Sequence, residues 1–140
     1  MNDSPDNPFA FAPVPSASSR HDGWTPERQR GFIHALSRLG MVAAAARCVG
    51  MSRKAAYALL QRAGPNSGFA TAWREAQAAG RTKVFFAAYE RAVDGVEAPV
   101  FHKGVQVGVR RAYDDRLLGA LLRAQWRAES KGDGLSGWTE

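Results

Sequence analysis

The sequence predicts a mainly α fold: an N-terminal unit of three short helices, a long connecting helix, a small β-hairpin and a C-terminal helix. Three observations carry this expectation. Apolar residues recur at helical spacing between Phe32 and Leu60 and again between Phe69 and Ala92. The period becomes alternating at Val105, Val107 and Val109, and then returns to helical at Leu117, Leu118, Leu121, Leu122 and Trp126.

Each element has its own start and stop. Residues 1–23 hold four of the seven prolines among many Ser, Asn and Asp residues. That is too little apolar surface to offset the entropy of ordering, so a disordered arm is expected. A first helix begins at Thr25, whose hydroxyl can cap, with Pro26 at the first helical position and Glu27 near the positive end of the dipole. Phe32, Ile33, Leu36 and Leu39 form its apolar stripe, and Gly40 supplies a left-handed stop. A second helix covers Val42 to Cys48, and a third runs from Ser52 to about Arg62, ended by Gly64 and Pro65.

Asn66 or Ser67 can cap a fourth helix extending to Val93. Its apolar residues fall on two sides: Phe69, Trp73 and Ala76 on one, Phe85, Tyr89 and Ala92 roughly opposite at about 100° per residue. Gly80 lies between the two sets, so the helix either breaks there or joins two packing layers. Beyond Asp94-Gly95, residues from Pro99 to His102 and from Val105 to Arg110 read as the strands of a hairpin turning at Lys103-Gly104. Two strands alone are marginal in water, so they need a helix or another subunit to pack against. Asp114 caps the last helix, and residues 130–140 read as a flexible tail. The expected domains are thus an arm at 1–23, a three-helix unit at 24–65, a long helix, hairpin and final helix serving oligomerisation at 66–129, and the tail.

The formal net charge is +6, and its placement is informative. From Trp24 to Ala63 seven basic residues stand against Glu27 alone, while charges outside that segment cancel. A positive block on a folded segment is the footprint of a phosphate-backbone binder. No run approaches the roughly 18 apolar residues of a membrane span, and residues 1–20 lack the pattern of a secretion signal, so a cytoplasmic protein is expected. The single cysteine, Cys48, has no partner for a disulfide or a zinc site and is expected to be a small buried hydrophobe.

The segment Ala45-Ala46-Arg47-Cys48-Val49-Gly50-Met51-Ser52-Arg53-Lys54-Ala55-Ala56-Tyr57-Ala58-Leu59-Leu60 reads as a helix-turn-helix. Ala46 leaves room where two helices cross, Gly50 can take the positive φ of the turn, and Val49 and Met51 point into the core. Ser52 caps the next helix, whose inner side is Ala56, Leu59 and Leu60. Its outer side is Arg53, Lys54, Tyr57, Ala58 and Gln61. In such units the N-terminal residues of the second helix meet the major groove. Arg53 and Lys54 can reach guanine edges or phosphates, Gln61 can pair with adenine, and Tyr57 can touch a phosphate or a thymine methyl. Arg47, Arg28, Arg30 and Arg62 are suited to backbone contacts. The competing reading is an alanine-rich helical hairpin with no ligand.

Further motifs follow in order: Trp73-Arg74-Glu75-Ala76, Glu90-Arg91-Ala92-Val93-Asp94-Gly95, Val100-Phe101-His102-Lys103-Gly104, and Arg111-Ala112-Tyr113-Asp114-Asp115-Arg116-Leu117-Leu118 leading into Leu121-Leu122-Arg123-Ala124. With the helix-turn-helix, this order resembles phage terminase small subunits, in particular the helix-turn-helix, small-subunit-like group of phages and prophage regions. The resemblance spans Trp24 to Arg127. It implies recognition of a DNA packaging site, assembly into a homo-oligomer, and delivery of double-stranded DNA to a large terminase ATPase-nuclease subunit. Asp114 stands where such sequences often have Ser, and Asp accepts the same capping bonds. Gln125-Trp126-Arg127 replaces the family's Pro-containing ending.

An enzyme is not expected. Asp114 and Asp115 are adjacent on a helix and do not face one another as an acid-base pair would. His34 and His102 are isolated, and no Gly-rich phosphate loop follows a strand, so neither metal nor cofactor is expected. The alternative within DNA binding is a dimeric helix-turn-helix transcriptional regulator reading paired half-sites. A helical adaptor that binds no DNA is the other rival.

Overall fold

The computed structural model describes residues 7–16, 20 and 22–132. The chain is mainly helical, in the order α1 (Pro26–Leu39), α2 (Val42–Cys48), α3 (Arg53–Ala63), α4 (Gly68–Asp94), β1 (Val96–His102), β2 (Val105–Ala112) and α5 (Asp115–Gly132). It divides into two compact units, Met1–Val84 and Phe85–Glu140, with α4 contributing to both.

In the first unit the caps form as the residue types require. Thr25 Oγ1 accepts from the Arg28 N–H at 3.2 Å, and Ser52 Oγ accepts from the Ala55 N–H at 3.0 Å. Between Asn66 and Ser67 it is Ser67 that caps α4, accepting from the Ala70 N–H at 3.1 Å. These bonds satisfy donors that a helix start leaves without an intrahelical acceptor.

The core of this unit gathers one face from each helix. Phe32, Ile33 and Leu36 of α1, Ala45 and Ala46 of α2, Ala56 and Leu59 of α3, and Phe69, Trp73 and Ala76 of α4 are all buried. Phe32 is the centre of an aromatic cluster, with ring centroids 4.9 Å from Trp73, 5.6 Å from Trp24 and 6.4 Å from Phe69. Rings of this size dominate the burial energy of a small core. Leu39, expected in the α1 stripe, sits in the last turn and is 38% exposed, because α1 ends before that face meets a partner.

The helix does not break at Gly80. α4 runs straight through it, and Gly80 is buried where α4 passes the end of α1. A β-carbon there would overlap Leu36 O and the Gly40 nitrogen, so the crossing is backbone on backbone.

The expected disorder of residues 1–23 is corrected for residues 7–16, which pack on the first unit. Phe9, Phe11 and Val14 cover its core, and the Phe11 ring lies edge-on to Phe69 at 5.4 Å. Gln29, wholly buried, supplies the backbone of this segment with a partner: its Oε1 accepts from the Val14 N–H at 2.8 Å and its Nε2 donates to Val14 O at 2.9 Å. The same Nε2 donates to Trp24 O at 3.1 Å. A buried amide so bonded mimics a neighbouring strand, which offsets the ordering entropy that composition alone made prohibitive. Residues 1–6, 17–19, 21 and 133–140 lie outside the described residues, and with them most of the expected tail; residues 130–132 continue α5.

In the second unit α4 ends at Gly95, which takes φ 73° and donates its N–H to Arg91 O at 3.1 Å. The hairpin is longer than the alternation indicated: β1 starts at Val96, and Val96 pairs with Ala112. Pro99 is tolerated within β1 because each strand of a two-stranded sheet is an edge. Lys103 and Gly104 both have positive φ, 49° and 77°, the signature of the primed turn that matches strand twist. A bulge lies between Val100 and Phe101, and Arg111 pairs with Glu97 across the strands at 3.2 Å. The Arg111 guanidinium also donates to Asp94 O. Asp114 Oδ1 caps α5, accepting from the Leu117 N–H at 3.0 Å.

This unit buries little. Every residue of β2 is exposed, and so are Val96, Val100 and Phe101 of β1. Along α5 the stripe is present, but Leu122 and Trp126 are 59% and 74% exposed.

Candidate nucleic-acid interface

The α2–α3 corner is built from backbone bonds that a left-handed residue makes reachable. Gly50 has φ 72°; its N–H donates to Arg47 O at 3.1 Å, and the Met51 N–H donates to Ala46 O at 2.9 Å. This pair of bonds is the Schellman arrangement, and it turns the chain out of α2 directly into the Ser52 cap of α3. Ala46 is fully buried at the crossing, and Val49 and Met51 pack on the core from either side of the glycine. Trp24 adds a tie from outside the motif, donating its indole N–H to Ala55 O at 3.2 Å.

α3 is thereby divided lengthwise. Ala56 and Leu59 are buried, Ala55, Leu60 and Ala63 half-buried, and Arg53, Lys54, Tyr57, Ala58, Gln61 and Arg62 exposed. Among the described residues no carboxylate lies within ion-pairing distance of Arg47, Arg53, Lys54 or Arg62. The outer face therefore carries uncompensated positive charge on a helix of three turns.

Most of the expected site residues come together here. Ser52, Arg53, Lys54, Tyr57, Gln61 and Arg62 share α3 or its cap, and Arg47 is exposed at the end of α2. Arg28 has a different occupation: half-buried, it donates to Gly23 O at 3.1 Å and to Met51 Sδ at 3.8 Å, holding the chain before α1 against the corner. Arg30 is half-buried on α1 and lines a shallow cleft with Asn7, Phe9, Ala10, Phe11, Ile33 and His34, on the side occupied by the arm. Both were expected beside the DNA backbone, and both are more enclosed than the cations of α3. The expectation for Cys48 is corrected: it is exposed in the last turn of α2, since the small residues at the crossing are Ala45 and Ala46.

Tyr57 is less free than its neighbours. It is 42% exposed, its ring lies 5.4 Å from the buried Trp73 of α4, and the Arg53 guanidinium carbon stands 5.3 Å from its ring centroid. Trp73 was legible as a core residue from its spacing with Phe69, but no pattern in one helix announces which residue of another it will support. Arg81 and Lys83 on α4 are further exposed cations outside the motif.

Among the described residues no group of three His, Cys, Asp or Glu side chains could hold a metal ion, and no helix is long and apolar enough to cross a membrane. Comparison with protein-family models, with curated proteins and with solved structures gave no match to the chain.

Proposed function

We propose that this protein binds double-stranded DNA sequence-specifically by laying α3 in the major groove. The observation that supports it most is the divided surface of α3: one side fixed in the core, the other offering Arg53, Lys54, Tyr57, Gln61 and Arg62 without a neighbouring carboxylate. A helix so raised on a sharp corner has the shape of the groove, about 12 Å wide. Its cations replace condensed counterions on phosphates, while Arg53 and Gln61 carry the donors and acceptors that distinguish base edges.

The second unit serves self-association in this proposal. Large apolar side chains of residues 85–126 are exposed, among them Phe86, Phe101, Val105, Val107, Leu122 and Trp126, and a partner chain would remove them from water. In keeping with the resemblance, the assembled protein would act in the cytoplasm as a phage or prophage terminase small subunit-like protein, recognising a packaging site and passing DNA to a large ATPase-nuclease subunit. No catalytic step or cofactor enters the proposal.

Selection of bound sequences from a random duplex pool, with the mass of the free protein and of the complex measured, tests it. The expected result is one enriched site bound by an oligomer. A two-fold dimer on a palindrome would favour the transcriptional regulator, and no duplex binding at low salt would leave only the adaptor.

A further inference from the structure

We infer that Tyr57 is a positioning residue for base recognition, holding the Arg53 guanidinium so that its edge meets a guanine in the major groove. This rests on the reading of α3 as a recognition helix and goes beyond it, by assigning the readout to one side chain and one base.

Arg53 and Tyr57 are four residues apart, which places them one above the other on the same face of α3. The Arg53 guanidinium carbon is 5.3 Å from the centroid of the Tyr57 ring, within the range of a cation–π contact. Tyr57 does not float, because Trp73 lies 5.4 Å away with rings inclined at 52°. Trp73 is 4% exposed and is itself fixed by Phe32 at 4.9 Å and Phe69 at 5.9 Å. An unbroken series thus leads from the aromatic core through a half-exposed ring to an exposed cation.

The chemistry of the guanidinium makes that series specific. It is planar, and a ring uses its face, leaving the N–H donors on its edge free. Guanine offers two adjacent acceptors, O6 and N7, in the major groove, and a bidentate arginine is their best match. A long side chain loses rotamer freedom on making such a contact, and one already restrained by a ring loses less. Lys54 makes no ring contact among the described residues and offers a compact charge on a flexible stem, so it lacks the restraint that the ring gives Arg53.

The test uses the full chain and the tightest duplex recovered from a random pool, alongside duplexes in which 7-deazaguanine replaces each guanine in turn, removing the N7 acceptor. The wild type is expected to lose fivefold or more at one guanine. Arg53→Ala should abolish that penalty. Tyr57→Leu should reduce it by about two- to fivefold with no change in the slope of log affinity against log salt, and Tyr57→Phe should retain it. Should Tyr57→Leu lose helicity, the exposed Arg53→Ala still decides whether Arg53 reads the guanine, and Tyr57→Met then replaces the leucine variant. Retention of the full penalty in Tyr57→Leu or Tyr57→Met, or in Arg53→Ala, overturns the inference while leaving DNA binding intact. Absence of any duplex binding by the wild type overturns the recognition-helix reading itself, and the inference with it.

Discussion

Gly40 and Gly80 meet backbone to backbone: a β-carbon built on Gly80 would stand 2.7 Å from the Gly40 α-carbon. Gly40 is also left-handed, with φ 67°, so one glycine ends α1 and the other lets α4 pass close beneath it. Helix propensity and tertiary packing therefore disagree at Gly80. Propensity alone would favour alanine by about 1 kcal/mol. The obstructing atoms are main chain, Leu36 O and Gly40, and cannot swing aside as a side chain would. Gly80→Ala should accordingly destabilise the first unit by about 1–3 kcal/mol, read as a lower urea midpoint. A midpoint at or above wild type would mean that the two helices do not approach there.

Gly50 presents the opposite case. Its φ of 72° demands a left-handed residue, yet a β-carbon would meet nothing within 4 Å. The cost of substitution is conformational only, about 1–2 kcal/mol for alanine and less for asparagine, whose side chain can bond locally. Gly50→Asn should keep near-wild-type helicity and duplex affinity. Gly50→Val, β-branched and unsuited to this region, should lose duplex affinity at a temperature where circular dichroism still reports full helicity. Equal affinities for the two variants would remove the corner from the argument for function.

These two glycines show how far the chain was legible beforehand. Gly50 could be placed because its role is local: a turn residue between two short apolar helices, followed by a serine cap. So could Thr25, Ser52 and Asp114, whose bonds reach only three residues along the chain. Gly80 could be marked as unusual but not explained, since its partner is forty residues away. The arm was misjudged for the same reason. Its composition speaks for disorder, and the two bonds between Gln29 and Val14 that order residues 7–16 become visible only when α1 is folded beside them. Arg28 and Arg47 read alike in sequence, as backbone contacts, and only packing separates a cation turned to a carbonyl from one turned to solvent.

Gln29 gives the arm a measurable energy. Gln29→Leu keeps the bulk but leaves the Val14 N–H and two carbonyls without their partner, each worth about 0.5–1.5 kcal/mol net and more where it stays buried. A loss of about 2–3 kcal/mol in unfolding free energy is expected, together with cleavage of residues 7–16 by a nonspecific protease under conditions where the wild type resists. Undiminished stability and protection would show that the arm is held by Phe9 and Phe11 alone.

Arg53 and Lys54 are adjacent, exposed and without a carboxylate neighbour among the described residues, so truncating them leaves the core untouched. Arg53→Ala combined with Lys54→Ala should weaken duplex binding strongly and lower the slope of log affinity against log salt by about 1–2 units. Arg28→Ala should instead act through the fold, lowering the unfolding midpoint and leaving the slope nearly unchanged, because its guanidinium is engaged with Gly23 O and Met51. A slope equally reduced in both variants would mean that the side chains of α1 and α3 meet phosphates alike.

A two-stranded hairpin is marginal in water, yet Val105, Val107 and Val109 are 64%, 63% and 59% exposed, and neither the primed turn nor the Glu97–Arg111 pair can compensate. Surface of this kind is stable when a second chain removes it from water, at about 25 cal/mol per Å² of apolar area. The wild type should therefore sediment as an oligomer at micromolar concentration. Val107→Asp would place a charge within that apolar contact, and it should shift the distribution toward monomer while the first unit keeps its helicity and its affinity for a short duplex. A wild-type protein that stays monomeric at the highest attainable concentration would show that the hairpin and α5 are covered by some other molecule, and that self-association is not their purpose.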